Sequence, residues 1–491
     1  MKQASGALLS AIRLDRTSRR SLSVQLYMAL RDIILSGGLR PGEKLPATRI
    51  LAREAGVSRT TAIDAVDRLV AEGMAESRVG AGTYITDTLE ARVAAGDAPS
   101  GQPAEPQPRL SDALSLDAPD YARRTWLPHE ARAFITALPA LDAFPMAHWA
   151  RLSARHLRGG RGMVMGYGQP KGFAPLRQAI ATHLGALKGI RCSPEQVFVT
   201  SGAQQAFSII GKLFLTPGDR VWMENPGASG ARNALLSEGA DLVPVDVDSD
   251  GLVVADGLAK SPSFRLAFVT PSHQQPLGHV MSLHRRFELL QAAADARALV
   301  IEDDYDGEFH HDGTPQPALC STDTGGRVLY VGTFSKTLFP SLRLGYVVVP
   351  ERMVDVFDRV FQSWASGPST ATQAIVADFM DEGHFATHIR LMRRLYKARH
   401  DALMDAGRSL PDSLRLQETS SGFHTLGDLE DGRDEQAVVD EAGAKGVILA
   451  PLSRYCMRPI PRAGLVFGFG SATPEDIARG IETIRDLPSL R

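Results

Sequence analysis

The chain has 491 residues, 44% hydrophobic and 22% charged, an ordinary globular mix long enough for two or three domains. Three widely spaced cysteines, Cys192, Cys320 and Cys456, exclude a disulfide framework and a cysteine-based zinc cluster, and no apolar run approaches the ~18–20 residues that span a bilayer. The net charge of −2 hides an asymmetry, because residues 1–86 carry 13 Lys and Arg against 8 Asp and Glu, a balance of +5, and the remainder is −7. The early apolar stretch "GALLSAI" is short and is followed by Arg13, Arg16, Arg19 and Arg20, which does not read as a signal peptide. A reducing, cytoplasmic setting is therefore expected, with any polyanionic partner at the basic end.

In chain order, Leu26, Leu30, Ile33 and Ile34 recur at helical spacing, and Gly37-Gly38 ends that helix. The turn "LRPGEKLPATR" leads to a short helix with Ile50 and Leu51 inward, stopped at Gly56. Ser58 caps a second helix whose stripe is Ala62, Val66, Leu69 and Val70, and "ESRVGAGTYIT" reads as two short strands around a glycine turn. The order is helix, helix–turn–helix, hairpin. The exposed start of the second helix carries Ser58, Arg59, Thr60 and Thr61, groups suited to phosphate and base-edge contacts in a major groove.

Residues 22–86, with "LRPGEKLPATRILAREAGVSRTTAIDAVDRLVAEG" and "RVGAGTYI", resemble the winged helix-turn-helix of the GntR family of bacterial transcription regulators. The resemblance implies that Arg49 and Arg59 contact DNA and that the wing around Arg78 and Gly80 reaches a minor groove. Ile63 stands where some members use a base-reading Arg, so base preference does not carry over.

Between Tyr84 and Tyr121 there is no aromatic residue, and Pro99, Pro103, Pro106 and Pro108 lie close together, the composition of a flexible linker. Beyond it, short apolar runs ("VFVT", "RVWME", "LVPVDV", "LAFVTPS", "ALVIEDD", "VLYVGT", "LGYVVVP") alternate with helical stretches, the signature of a mainly parallel α/β sheet. Ligands in such sheets bind beyond the carboxyl ends of the strands. There stand Ser201 and Gly202 opening a helix, then Asp303 and Tyr305, then Ser335, Lys336 and Arg343. A Schiff-base lysine, a carboxylate for a ring nitrogen, a phenol for a ring oxygen, and an Arg with helix N–H groups for a phosphate are what pyridoxal phosphate needs.

"GTFSKTLFPSLRLGY", "VIEDDYDGEF", "TSGAQQA" and "YGQPKGFAPLR" resemble the fold-type I, class I aminotransferases from about Ala131 onward. The resemblance implies Lys336 as the Schiff-base lysine, Asp303 at the pyridine nitrogen and Tyr305 at the ring oxygen. It places Thr333 and Arg343 at the phosphate with the backbone of Ala203 and Gln204, and sends Tyr167 to the phosphate bound in the partner subunit. His273, His310 and His311 show no metal-like spacing with carboxylates and read as non-ligands.

The enzyme pattern is broken in three places. Ala228 stands where an aromatic covers the ring, and "SHQQPLG" replaces "NPTG", with Gln275 at the Asn that touches the ring oxygen. Near the C-terminus "AGLVFGFGS" is apolar around Leu465 and Val466, where active enzymes bind the substrate carboxylate with an Arg; Arg454, Arg458 and Arg462 lie nearby. Cofactor-holding residues are kept and substrate-gripping ones altered.

Together these features are similar to the MocR subfamily of GntR regulators. The expected organisation is a winged helix at 20–87, a linker at 88–124 and an aminotransferase-like domain at 125–491, of PLP-dependent transferase fold with a smaller lobe. The resemblance implies a homodimeric, pyridoxal 5'-phosphate-dependent regulator, not an enzyme, that binds operator DNA and senses an amino compound at Lys336. An active aminotransferase with a DNA-binding appendage, and a sensor of the cofactor itself, remain open as alternatives.

Overall fold

The structure is a computed structural model and describes residues 12–78, 80–86, 122, 133–159, 161–311, 316–365, 367–430 and 432–491. The expected linker, 88–124, lies outside these residues except for Ala122. The chain divides into two compact units, residues 1–109 and 110–491, and each is described by itself.

In the first unit, α1 (Leu22–Leu35) starts at Ser21, whose hydroxyl accepts the Val24 N–H, and buries Leu26, Leu30 and Ile34. Next come α2 (Thr48–Glu54) and α3 (Arg59–Ala71), which bury Leu51 with Ala52 and Ala62, Ala65, Val66 and Leu69 respectively. Strands β1 (Ala75–Arg78) and β2 (Gly82–Ile85) pair antiparallel with Arg78 opposite Gly82. The order matches the sequence reading, with two corrections. Ile50 is 40% exposed and Val70 is only half-buried. Consecutive helical residues point about 100° apart, so Leu51 and Leu69 take the core direction and their neighbours turn away from it.

The second unit is built on an eight-stranded sheet. Its strands are β3 (Val197–Thr200), β4 (Arg220–Asn225), β5 (Asp241–Asp248), β6 (Gly251–Leu252), β7 (Leu266–Val269), β8 (Leu299–Asp304), β9 (Val328–Thr333) and β10 (Gly345–Val348). The spatial order is β3-β10-β9-β8-β7-β4-β5-β6. Strands β4, β5, β7, β8 and β9 run parallel, whereas β10 is antiparallel to both neighbours and β6 closes a hairpin on β5. Alternate residues feed opposite faces: Ile301 and Leu329 enter one core, Val300 and Val328 another. Each such fully buried aliphatic side chain contributes about 1.5–3 kcal/mol.

A smaller antiparallel sheet of β11 (Leu414–Leu416), β12 (His424–Leu429), β13 (Ala450–Pro451) and β14 (Ala463–Gly468) has the order β11-β12-β14-β13. Helices His384–Gly407 and Pro474–Arg485 pack on each other beside it. The segment before residue 140 reaches this sheet, since Phe134 bridges to Gly468, whose N–H donates to the Phe134 carbonyl at 3.1 Å. Among the described residues no helix is long and apolar enough to cross a membrane.

Candidate functional site

In the first unit the helix start is built by Ser58. Its Oγ accepts the Thr61 N–H at 3.1 Å and lies 2.8 Å from Thr61 Oγ1, so both hydroxyls serve the cap. Arg59 and Thr60 are exposed on the first turn of α3, and Arg49 is exposed on α2. Arg49 and Arg59 form no ion pair among the described residues, whereas Arg31, Arg68 and Arg78 pair with Glu72, Asp64 and Glu76. Arg78 also lies over the Tyr84 ring, 4.7 Å from its centre. Gly80 has φ 75° and Gly82 φ 108°, conformations glycine adopts without steric cost. Ile63 is 37% exposed, an apolar side chain on the solvent side of α3. Lys44 also stands over the Tyr84 ring, a wing neighbour the motif does not single out.

In the second unit, the candidate residues lie at the ends of β8 and β9. Thr333 caps the short helix Phe334–Thr337, its Oγ1 accepting the Ser335 N–H at 3.1 Å. Lys336 lies on that helix, and its Nζ donates to the Ala137 carbonyl at 2.6 Å. Asp303 is buried, and its Oδ1 has no hydrogen-bond partner. Burial first, then the neighbouring Asp304, Asp306 and Glu224, push its carboxyl well above the ordinary carboxylate range, with Lys336 pulling the other way. Tyr305 is buried too. Burial and the charges of Asp306 and Asp303 raise its phenol, whose oxygen lies 3.1 Å from His273 Nδ1.

At the edge of the site, Ala203 and Gln204 open the helix Ala203–Phe214 after Gly202, which has φ 96°. A Cβ on Gly345 would meet the Gly202 backbone at 3.0 Å, so the start of β10 and this helix start approach as closely as only glycine permits. Arg343 is exposed with φ 49°, immediately before Leu344 and β10. Gln275 is half-buried and its N–H donates to Thr270 Oγ1 at 3.1 Å. Tyr167 is fully exposed on its own chain.

Several neighbours are invisible to sequence spacing. His273, Asp306 and His424 converge with their ligand-type atoms within 4.8 Å of one another, and all three are buried. His424 comes from β12 of the small sheet, more than a hundred residues away from the other two. Glu224, at the end of β4, accepts from Thr270 N–H and Oγ1 and from Gln274 Nε2, and burial pushes it up to about 7. The recurrence of acidic residues at strand ends is the available signal for Glu224; nothing local announces His424.

The other two departures from the enzyme pattern also have positions. Ala228 is 4% exposed at the start of helix Ser229–Ser237. Beside it the Gly227 N–H donates to the Tyr455 carbonyl at 3.0 Å, and Tyr455 is buried near Tyr305. Leu465 and Val466 are fully buried in β14. Of the arginines nearby, Arg462 Nε is 2.7 Å from Asp428, and Arg458 is 2.8 Å from Asp246.

The chain matches the gntR family of bacterial regulatory proteins over residues 22–85 and the class I and II aminotransferases over residues 139–456. It is 41% identical to the probable rhizopine catabolism regulatory protein MocR of Rhizobium meliloti, over 96% of this chain and 94% of that one. It is 28% identical to the pyridoxine biosynthesis transcriptional regulator PdxR of Corynebacterium glutamicum, over 96% of each. Among solved structures it resembles a Pyrococcus horikoshii kynurenine aminotransferase in complex with PMP, with TM-score 0.67 and 27% identity over 73% of this chain and 90% of that one. The α-aminoadipate aminotransferase LysN of Thermus thermophilus, complexed with N-(5'-phosphopyridoxyl)-L-leucine, gives 0.66 and 27% over 72% and 91%. The chain therefore belongs to the MocR subfamily of GntR-type helix-turn-helix transcription regulators, in which a DNA-binding unit is joined to an aminotransferase-like domain.

Proposed function

We propose that the second unit holds pyridoxal phosphate and uses it to sense a primary amine, and that the first unit carries the response to operator DNA in the cytoplasm. The observation that carries this reading is Asp303, a buried carboxyl with a partnerless oxygen near Lys336. A buried carboxylate is stable only beside a cation or donor, and the protonated ring nitrogen of the cofactor is both. When bound, the cofactor supplies an aldehyde that condenses with amines and a ring that draws electrons.

The residues then divide the work. Asp303 would hold the ring nitrogen protonated, and Tyr305 and Gln275 would serve the ring oxygen. Thr333, Arg343 and the backbone of Ala203 and Gln204 would bind the phosphate, and Tyr167 would reach the phosphate of the partner subunit in a homodimer. Lys336 has a second partner, the Ala137 carbonyl at 2.6 Å. Ala137 belongs to the segment that bridges to β14, so a change at Lys336 bears on the smaller lobe as well as on the large sheet. Arg49, Arg59, Thr60 and the wing at Arg78 and Gly80 contact DNA, with Ser58 and Thr61 shaping the helix start.

Sensing rather than turnover is supported by Ala228, Leu465 and Val466, which offer neither a ring-stacking aromatic nor a carboxylate clamp, and positioning is a large part of transamination. The test is an absorbance titration of the cofactor-loaded protein with amino compounds, run beside operator binding. The reading expects one amine to change both. Steady turnover of an amino acid with a keto acid, or no amine that changes either signal, overturns it.

A further inference from the structure

The edge of the sheet opposite Lys336 carries a second, unassigned feature. Five neighbouring strands each bring an arginine to the same edge. Arg220 begins β4, Arg265 precedes β7, Arg297 lies two residues before β8, Arg327 precedes β9, and Arg352 follows β10. With strands ~4.8 Å apart the row spans about 19 Å. Backbone bonds hold it in line: Arg265 N–H donates to the Arg220 carbonyl at 2.8 Å, and Val300 N–H to the Arg327 carbonyl at 3.0 Å.

Four of them, Arg265, Arg297, Arg327 and Arg352, line a cleft of about 700 Å³ whose remaining wall is apolar, including Phe214, Leu299 and Met353. Arg265 lies 3.5 Å from Asp219. The guanidinium groups of Arg297, Arg327 and Arg352 form no ion pair among the described residues, and the Asp323 carboxylate accepts the Arg327 backbone N–H. Arg327 and Arg352 each give one nitrogen to a backbone carbonyl, of Ala298 and Gly326, and a guanidinium has five donors. Arg220 is paired with Asp241 at 3.6 Å as Arg265 is with Asp219, which leaves three guanidinium groups without an ion pair, an arrangement that an anion would complete.

Arg297 supplies an independent sign. It follows the helix Leu283–Asp295 with φ 56°, the left-handed position where helices favour glycine. Arginine there meets a steric penalty that glycine avoids, and backbone strain of this kind collects at binding sites.

We propose that this cleft binds a phosphorylated small molecule with an apolar or aromatic body, the class of the nucleoside phosphates. Arginine matches phosphate bidentately, the volume suits a small molecule, and the apolar wall would go unused by a sugar–phosphate backbone.

The test is calorimetric titration of the full-length, cofactor-loaded protein with ADP, with pyrophosphate and with a non-operator duplex, repeated on Arg297→Gly and Arg352→Gln. ADP should bind in the micromolar range, more tightly than pyrophosphate, and each variant should weaken it about tenfold or more. Arg297→Gly should melt no lower than the parent, because glycine takes the left-handed backbone freely. Absence of ADP binding at millimolar concentration, equal binding by the variants, or pyrophosphate as tight as ADP overturns the proposal. So does a loss of duplex affinity in the variants that matches the loss of ADP affinity, which would assign the row to nucleic-acid phosphates.

Discussion

Lys188 and Asp304 form a buried ion pair, Nζ to Oδ2 at 2.7 Å, with side chains 9% and 2% exposed. The Tyr330 hydroxyl donates to the same oxygen at 2.7 Å, and the Gly307 N–H donates to Oδ1 at 3.1 Å. Asp304 is thus fully satisfied, while Asp303, one residue earlier, points to the other face of β8 and has an open oxygen. One strand end therefore carries a paired structural carboxylate and the candidate site carboxylate side by side. Lys188→Met removes the counter-charge and leaves Asp304 buried alone, which should destabilise the second unit by about 3–5 kcal/mol. Urea denaturation of the parent and variant reads this directly; a change below ~1 kcal/mol would mean that Tyr330 and Gly307 suffice.

Asp303→Asn keeps the shape and removes the charge that, on the proposed reading, would hold the ring nitrogen. Cofactor affinity should fall about tenfold or more, the equivalent of one charge-assisted hydrogen bond, while the urea midpoint of the cofactor-free protein stays the same or rises. Lys336→Ala should abolish the visible absorption that the lysine linkage produces, with the fold intact by circular dichroism. Retention of that absorption would move the cofactor lysine elsewhere.

Glu224 makes the second unit sensitive to pH. Its pKa is raised from 4.5 to about 7 by burial, so the folded state holds this proton more tightly than the unfolded chain does. The stabilisation is fully present below about pH 4.5 and is lost as pH rises through 7, amounting to ~3 kcal/mol at most. Denaturation at pH 5, 7 and 8.5 should show the parent losing stability towards alkaline pH, and Glu224→Gln should remove part of that loss, the rest belonging to Glu302, which burial also pushes up to about 7. A variant curve parallel to the parent's would place the sensitivity in other groups.

Arg59→Ala should weaken operator binding and reduce the slope of log affinity against log salt by about 0.9 for each phosphate that the side chain no longer neutralises. Ser58→Ala should act differently. It removes the cap that accepts the Thr61 N–H and should cost the first unit ~1 kcal/mol of stability. Fluorescence anisotropy with operator DNA over a salt series, set beside thermal melts, separates the two residues; identical behaviour would contradict the division of roles.

The elements and their order are legible from local pattern alone, because periodicity, caps and glycine turns are local. The helices, the wing and all seven apolar runs of the α/β domain occur where the pattern predicts them. It determined Lys336, Asp303 and Tyr305 as strand-end residues for the same reason, since strands in such sheets deliver function at their carboxyl ends. Only the tertiary structure decided which residue of a neighbouring pair faces the core, as Ile50 and Val70 show. It alone brought His424 from the small sheet to His273 and Asp306, gave Lys336 the Ala137 carbonyl, and aligned five arginines that sequence separates by more than a hundred residues. Those relationships depend on strand order across the sheet and on how the smaller lobe folds back. Both are set by long-range packing, which leaves no local trace.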